Sequence, residues 1–191
     1  YSENNSIAEF YTKEHGKVAG VIYGSTSKKI KNYLLIGNKF HLNFSSKNDS
    51  KIGYFKIEID KIITPYFMED KNKLLCITYS MNLIKLLTVE GQQNINVFEL
   101  IKNLKVLLED DKWLIKFIFW ELSFYKSVGY DIEFKDYVDK EILNNGEEKY
   151  YVKSTNKFVP KFLINKNYYI DNTKDILDGF KIVGDYLEKT I

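Results

Sequence analysis

The residues best suited to bind a charged ligand lie in one short segment, residues 24–33, which reads GSTSKKIKNY. It combines a glycine, three small hydroxyl residues, three lysines and a tyrosine. Lysine ammonium groups and backbone amides near a glycine bind phosphate, and an aromatic ring stacks on a base, as in proteins that hold single-stranded nucleic acid. The segment therefore predicts a nucleic-acid contact; the alternative is a solvated surface loop.

A second basic stretch, residues 149–166, has five lysines and no acidic residue. A spacing near four would align these lysines on one face of a helix, but residues 154–156 (STN) and Pro160 predict strand and turn instead. Aromatic residues alternate with the lysines: Tyr150, Tyr151, Phe158 and Phe162. We interpret the stretch as a polar rim around packed aromatic side chains.

Residues that commonly perform catalysis or bind metals are few in this chain. His15 falls in a predicted turn, His41 on a predicted strand, and the single cysteine, Cys76, lies among core residues and should be inert. Two pairs of adjacent carboxylates are better explained as a helix cap and a solvated turn: Asp110 with Asp111, and Glu147 with Glu148. No nucleotide-binding, hydrolase or zinc-protease motif occurs. We therefore expect neither an enzyme nor a metal or other cofactor.

The first third of the chain has the pattern of strands and turns. Dense β-branched and aromatic residues on either side of a glycine predict a hairpin from residues 7–12 and 18–23. Strict alternation predicts two further strands, residues 40–44 and 55–59, joined by a polar turn at residues 45–51. Four strands of a small sheet or barrel result. The apolar pattern changes at Pro65 from strand-like alternation to helical periodicity. We place a domain boundary there, between residues 1–64 and 65–191.

The remaining sequence is mainly helical. Apolar periodicity predicts helices over residues 70–88, from Asn96 through Leu108 with Glu99 at capping-box spacing, over 113–128 ending at Gly129, and over 173–190. Residues 132–170 read as an irregular basic segment, and Gly179 and Gly184 should weaken the last helix. The predicted fold class is α+β, with a strand domain followed by an all-helical domain.

Composition limits the function further. The 191 residues are 45% hydrophobic and 28% charged, which is typical of a globular protein. All 28 basic residues are lysine, so bidentate guanidinium contacts are impossible. Residues 1–68 hold ten lysines against six acids (+4), and residues 69–191 hold eighteen against twenty (−2). The longest apolar stretch, residues 113–125, is interrupted by charges, and no secretory signal opens the chain, so we expect a cytoplasmic protein without a membrane span.

The order of these features resembles the RecO family of bacterial recombinational-repair mediators over nearly the whole chain. Each similar segment is short, and their shared order and spacing carry the resemblance. They are a first strand pair at residues 3–6 (ENNS) and 10–21 (FYTKEHGKVAGV), a glycine- and base-rich loop at 23–29 (YGSTSKK), a turn at Gly37-Asn38, a helix end at 120–131 (WELSFYKSVGYD), and a later segment at 151–154 (YVKS) with 158–159 (FV).

The resemblance implies an amino-terminal OB-fold and a carboxy-terminal helical domain. It also implies binding of single- and double-stranded DNA, annealing of complementary strands, association with RecR and docking on the acidic tail of single-stranded DNA-binding protein, which helps the recombinase replace that protein. An OB-fold has five strands and we predict four, so we expect the first strand to be missing and the amino terminus to be truncated.

Two departures from the family pattern affect the expected site. Some members carry a cysteine zinc site after the Gly-Tyr helix end, whereas this chain has residues 136–139 (DYVD) in that region and no cysteine there. Positions that are commonly arginine in the family are lysine here, which keeps the charge and loses the geometry of the guanidinium. Zinc is therefore not expected, and DNA binding should tolerate any sequence.

Our leading hypothesis is a non-enzymatic DNA-binding and annealing mediator associated with the nucleoid during repair. We assign the DNA-binding face to Lys17, Lys28, Lys29, Lys31 and Lys39, with Tyr33 as the stacking ring. The alternative is a protein-interaction module whose helical domain binds an acidic peptide tail without direct DNA contact. Its rim would consist of Lys102, Lys105 and Lys116. A hydrolase or transferase has no motif in its favour.

Overall fold

The computed structural model describes residues 4–46, 52–168 and 172–190. The chain forms two compact units, Tyr1–Lys102 and Asn103–Ile191. The predicted boundary after residue 64 coincides with a 3-10 turn, Thr64–Phe67, where strands give way to helices. As a domain limit it stays a prediction.

Four strands form the sheet of the first unit, in the order β1-β2-β4-β3. They are β1, Asn5–Thr12; β2, Gly16–Tyr23; β3, Lys39–Ser45; and β4, Tyr54–Lys61. β1 pairs antiparallel with β2, and β3 with β4, which confirms both predicted hairpins, while β2 meets β4 in parallel. In the described part of the chain the strands form no closed barrel, but the arrangement is compatible with an OB-like fold. Glu3 and most of the predicted turn at residues 45–51 lie outside the described residues.

One face of this sheet carries a cluster of phenylalanine rings. The ring centroid of Phe55 lies 5.2 Å from those of Phe10 and Phe44, and Phe10 lies 5.7 Å from Phe40. Gly20 of β2 faces this cluster, and a Cβ atom there would come within 2.5 Å of the Phe55 ring. The glycine therefore allows the ring to lie directly on the backbone of the neighbouring strand.

Helix α2, Lys71–Leu87, follows the strands in the first unit. Asp70 caps it, since its carboxylate accepts hydrogen bonds from two backbone amides of the first turn. At the other end, the Lys17 ammonium donates to the carbonyl oxygen of Lys85 at 2.6 Å, and Glu9 pairs with the Lys85 ammonium at 3.3 Å. These contacts hold the carboxyl end of α2 against β1 and β2.

Helix α3, Ile95–Glu109, begins two residues earlier than predicted. The cap is Asn94 rather than Asn96, because the Asn94 side-chain oxygen accepts hydrogen bonds from the amides of Asn96 and Val97 at 3.1 and 3.2 Å. The predicted capping box placed the cap two residues too late. Asparagine occurs at both positions, and the apolar periodicity does not distinguish between them.

The core of the second unit is built on α4, Trp113–Ser127. The rings of Phe117, Trp120 and Phe124 stack in succession, with centroids 5.5 and 5.8 Å apart and an angle of 6° between the planes of each adjacent pair. Gly129 follows the helix with φ of +99°, in the left-handed region as predicted. The sequence prediction of a central apolar helix is confirmed.

The last helix, α7, has the predicted bounds Thr173–Thr190. Its Gly179 has a packing role, because a Cβ atom there would come within 2.5 Å of the Phe162 ring. Phe162 lies on the short helix α6, Lys161–Asn165, and is 1% exposed. The helix-weakening glycine thus allows two elements of the second unit to pack closely.

The second unit also contains a three-stranded sheet in the order β5-β6-β7, so the prediction of an all-helical domain is wrong in this part. Its elements are the short helix α5, Phe134–Tyr137, and the strands β5, Val138–Ile142; β6, Glu148–Val152; and β7, Phe158–Val159. The residues of β5 are mostly exposed and polar, so they lack the alternation that reveals a half-buried strand. The predicted irregular segment at 132–170 is therefore largely ordered.

Candidate nucleic-acid interface

Three lysines lie together on one short helical turn, α1, Lys28–Lys31. A tight turn precedes it, closed by a 3.0 Å hydrogen bond from the Ser27 amide to the Gly24 carbonyl oxygen. Gly24 has φ of +65°, a conformation that glycine adopts without strain. All three lysine side chains are exposed and form no ion pair with a described residue. We call residues 24–31 the lysine turn.

Polar residues of β1 and the residue before it hold the lysine turn in place. Ser25 is 4% exposed, and its hydroxyl lies 2.7 Å from that of Ser6. Asn5 accepts a 3.1 Å hydrogen bond from the Gly24 amide, and Asn4 accepts one from the Thr26 hydroxyl at 3.3 Å. The Ser25 and Thr26 hydroxyl groups thus bond to the protein itself. The lysines are the charged side chains of this turn.

Tyr33 follows the lysine turn and is half-buried. Its ring centroid lies 6.2 Å from that of Phe40, and Asn38 donates a 2.8 Å hydrogen bond to its carbonyl oxygen. The Asn38 side chain also accepts hydrogen bonds from the amides of Ile63 and Thr64 at 2.8 and 3.1 Å. Asn38 thereby ties this loop to the end of β4, while the stacking role of Tyr33 stays a prediction.

The other two lysines assigned to DNA already have partners. Lys17 donates to a helix carbonyl and lies at the opposite end of β2 from the lysine turn, about 20 Å along the strand. The Lys39 ammonium lies 2.6 Å from the Asp60 carboxylate. This hydrogen bond is the main reason why the pKa of Asp60 is below its ordinary value, with added attraction from Lys39 itself, His41 and Lys61. The structure therefore brings Lys28, Lys29 and Lys31 together, whereas Lys17 and Lys39 do not belong to this group.

The three lysines proposed as a protein-binding rim are each paired with a nearby carboxylate. Lys102 contacts Glu99 at 2.9 Å, Lys105 pairs with Glu109, and Lys116 pairs with Asp110. The hydrogen bond from Lys116, followed by one from the Lys112 amide, lowers the pKa of Asp110. Asp110 therefore accepts a hydrogen bond from the Lys112 amide just before α4 and also pairs with Lys116 of that helix.

Four of the five lysines in the second basic stretch have oxygen partners in the same unit, three of them carboxylates. The contacts are Lys153 to the carbonyl oxygen of Asp136 at 3.1 Å, Lys157 to Asp185, Lys161 to Glu148 at 3.0 Å, and Lys166 to Glu133 at 3.1 Å. Glu148, the partner of Lys161, accepts further hydrogen bonds: those from Lys140, then Lys161 and Tyr150, lower its pKa to about 2. The charge of the second basic stretch is therefore largely paired within its own unit.

One aromatic pair beside the lysine turn was not predicted. Tyr23, the last residue of β2, is 58% exposed, and its ring centroid lies 5.7 Å from that of Tyr54 with the planes tilted by 55°. Tyr54 is the first residue of β4 and pairs with Val21 where β2 and β4 run parallel. Only the register between β2 and β4 brings the two rings together, since they are 31 positions apart in the sequence. The signal available in the sequence was a tyrosine directly before the glycine of the turn.

An apolar cavity of about 250 Å³ lies in the second unit, between α5, the turn after β6 and α7. Its apolar lining includes Ile132, Phe134, Tyr137, Val152 and Ile182. Lys153, Lys157 and Asp185 line it as well, and Lys157 pairs with Asp185. A cavity with this lining suits an apolar side chain.

The residues considered for catalysis or metal binding remain dispersed. Within residues 4–46, 52–168 and 172–190, no three His, Cys, Asp or Glu side chains form a group that could hold a metal ion. Cys76 is half-buried on α2 rather than fully in the core. His41 lies 3.8 Å from Asp60 on the polar face of β3 and β4. The same described ranges include no helix with the length and apolar character needed to span a membrane.

Comparison with known proteins connects these features to DNA repair. The sequence profile of the family "Recombination protein O C terminal" matches residues 68–146. Two relatives named DNA repair protein RecO extend the similarity: that of Ehrlichia chaffeensis is 26% identical over 136 residues (70% of this chain and 54% of the relative), and that of Rickettsia felis is 31% identical over 131 residues (69% and 55%). The chain spans about half the length of these two relatives.

A third relative covers the strand-rich first unit as well. The DNA repair protein RecO of Rhodospirillum centenum is 19% identical over 204 aligned positions, which include 99% of this chain and 81% of the relative. These matches support membership of the RecO family, as the sequence predicts.

Proposed function

We infer that this chain binds single- and double-stranded DNA without reading its sequence and acts as a non-enzymatic repair mediator in the bacterial cytoplasm, at the nucleoid. The observation that carries the proposal is the lysine turn, where Lys28, Lys29 and Lys31 are exposed without a carboxylate partner among the described residues. Free ammonium groups bind phosphates and release counterions, which favours binding to any sequence.

Annealing of complementary strands is the activity that such a surface supports. Two DNA backbones repel each other, and a surface that neutralises phosphates lowers this repulsion while the bases find their partners. No bond is made or broken, so the activity needs no catalytic residue. In the proposed role, the protein also helps load recombinase onto DNA that is covered by single-stranded DNA-binding protein.

The salt dependence of DNA binding tests this proposal. Each phosphate contact on a single strand contributes about 0.7 to the slope of log K against log salt, so replacing Lys28, Lys29 and Lys31 with alanine should flatten the slope by roughly 2. The matched control replaces three exposed lysines on separate helices, Lys71, Lys135 and Lys174, and should change the slope much less. Equal slopes for the wild type and the lysine-turn variant would remove this turn from the DNA interface.

RecR and the acidic tail of single-stranded DNA-binding protein are the proposed protein partners. The apolar cavity lined by Tyr137 can hold the aromatic end of such a peptide, and the ammonium of Lys153, which among the described residues bonds only to a carbonyl oxygen, keeps its positive charge for the acidic residues. Calorimetry of the full chain with such a peptide should give saturable heat that Tyr137→Ala reduces. The exposed Tyr66→Ala serves as the control, and absence of heat from the wild-type chain would contradict this partner.

A further inference from the structure

The pair formed by the exposed Tyr23 and the half-buried Tyr54 lies on the outer face of the sheet, the face opposite the phenylalanine cluster. Residues alternate between the two faces of a strand, so Tyr54 and Lys56 point away from the phenylalanine cluster that contains Phe55. Tyr23 contacts Tyr54 and belongs to the same outer face. A ring that is 58% exposed is accessible to a ligand on this face.

Positive charge flanks the pair on both sides. Gly24 directly follows Tyr23, and the Ser27-to-Gly24 hydrogen bond closes a turn whose ends lie within about 7 Å, so the chain returns toward Gly24 just before Lys28. Along β4, Lys56 lies two residues beyond Tyr54, about 7 Å away on the same face. Lys56 is exposed and forms no ion pair with a described residue.

Lysines on both sides of an exposed ring match an unpaired nucleic-acid strand, whose phosphates are charged and whose bases present open faces. A duplex has the same phosphates but buries the faces of its bases in the stack. A protein partner would need an acidic segment, and it has no bases to stack on the ring. The combination of charges and rings therefore favours single-stranded nucleic acid as the ligand of this face.

We propose that Tyr23, supported by Tyr54, is a platform on which a base of single-stranded DNA stacks, and that this platform makes the chain prefer single strands to duplex. The lysine turn supplies attraction to both forms of DNA, and the ring supplies the difference between them. The proposal rests on the proposed DNA-binding function and adds the residue that discriminates between the two forms.

The test compares Tyr23→Ala, Tyr23→Phe and Tyr66→Ala by fluorescence anisotropy, with a mixed-sequence single strand and a hairpin duplex as probes. Stacking on one ring predicts that Tyr23→Ala weakens single-strand binding roughly 5- to 150-fold while duplex binding and the salt slope stay unchanged. Tyr23→Phe keeps the ring and should bind as the wild type does. Tyr66 is 70% exposed on the 3-10 turn and should tolerate alanine without loss.

Fluorescence of 2-aminopurine in the single strand adds a direct readout, because stacking quenches it; the quenching should disappear in Tyr23→Ala. The platform is wrong if Tyr23→Ala binds single strands as the wild type does, loses both forms of DNA equally, or behaves like Tyr23→Phe. If the wild type binds neither probe, the proposed function itself fails. Wild-type binding that depends on the lysine turn, with no effect of Tyr23→Ala, overturns the platform alone.

Discussion

The lysine turn of the first unit and the basic stretch of the second have similar sequences, with three lysines in residues 24–33 and five in residues 149–166, and no acid in either. Their environments differ. In the lysine turn, Lys28, Lys29 and Lys31 are exposed, whereas four lysines of the second stretch bond to carboxylate or carbonyl oxygens in the same unit. All three lysines of the first segment lack a described carboxylate partner, whereas three of the five in the second are paired with carboxylates.

The difference shows that a run of positive charge is not a binding surface until its partners are known. Lys157 pairs with Asp185 and Lys166 with Glu133, so the neutralising carboxylates are 28 and 33 positions away in the sequence. The partners of the lysine turn are instead the neutral residues Asn4, Asn5 and Ser6, which bond to its backbone and hydroxyl groups. They fix the position of the turn without cancelling its charge.

The largest expected effect separates these two segments. Replacing Lys153, Lys157 and Lys166 with alanine removes the same charge as the lysine-turn variant but should leave the salt slope of single-strand binding within about 0.5 of the wild type, against a change of roughly 2 for the lysine turn. It should instead lower the free energy of unfolding, by about 0.2–1 kcal/mol for each exposed pair lost.

Anisotropy titrations at four salt concentrations and urea unfolding measure both quantities on the same samples. The lysine-turn variant should unfold within about 0.5 kcal/mol of the wild type, as surface substitutions usually do. If the two variants changed the slope equally, net charge alone would govern binding and the contrast between the segments would have no functional meaning.

The second expected effect distinguishes the two tyrosines near the lysine turn. One side of Tyr33 already contacts Phe40, so Tyr33→Ala should lower the free energy of unfolding by about 1 kcal/mol through loss of the aromatic pair. Its loss of single-strand affinity should be smaller than that of Tyr23→Ala. Urea unfolding and anisotropy decide between them: a stable Tyr33→Ala with the larger loss of affinity would make Tyr33 the stacking residue.

Much of the fold follows from periodicity that the sequence displays. Alternation along β3 and β4 and the apolar pattern of α4 identify these elements because each buries one face or nearly all of its surface. Strand and turn were predicted within residues 149–166, where β6 and β7 lie, but β5 was missed because it has a polar, exposed sequence and depends on its pairing with β6. Local propensity carries no information about such a partner.

The candidate site was predictable only in part. The segment that contains Lys28, Lys29 and Lys31 stands out by composition, whereas the pairing of Lys39 with Asp60 depends on the register of β3 with β4. Tyr23 meets Tyr54 through the single parallel pairing between β2 and β4, which no local pattern indicates. Contacts between distant positions decide which charges and rings remain free.

A smaller effect tests how the lysine turn is held. Ser25→Ala removes the hydrogen bond with Ser6 and leaves that hydroxyl without this partner, which should cost about 1 kcal/mol of unfolding free energy. Amide hydrogen exchange at residues 24–31 should become faster while the exchange of α4 is unchanged. The neighbouring Ser27→Ala is the control, since the Ser27 side chain makes no capping hydrogen bond to α1. Equal exchange in Ser25→Ala and the wild type would show that the Asn5 contact to Gly24 suffices.

The smallest expected effect concerns the pH dependence of stability and involves Glu148, the partner of Lys161 in the second basic stretch. Lys140, Lys161 and Tyr150 lower the pKa of Glu148 from 4.5 to about 2 in the folded protein. A lowered folded-state pKa means that the charged form is stabilised by folding, so this contribution is complete above the unfolded pKa near 4.5 and is lost as the pH falls toward 2.

The stability difference between the wild type and Glu148→Gln should therefore be constant from neutral pH to about pH 5, narrow below pH 4.5 and nearly vanish at pH 2. Urea unfolding followed by tryptophan fluorescence across this range measures it. Glu147→Gln is the control, since the adjacent carboxylate forms no ion pair with a described residue and should show no such trend. The lysine-turn variant should also lack it, because its ammonium groups have no described carboxylate partner to protonate. A pH trend in that variant equal to the one for Glu148 would mean that the lysine turn has an acidic partner in the folded protein and that its charge is not free.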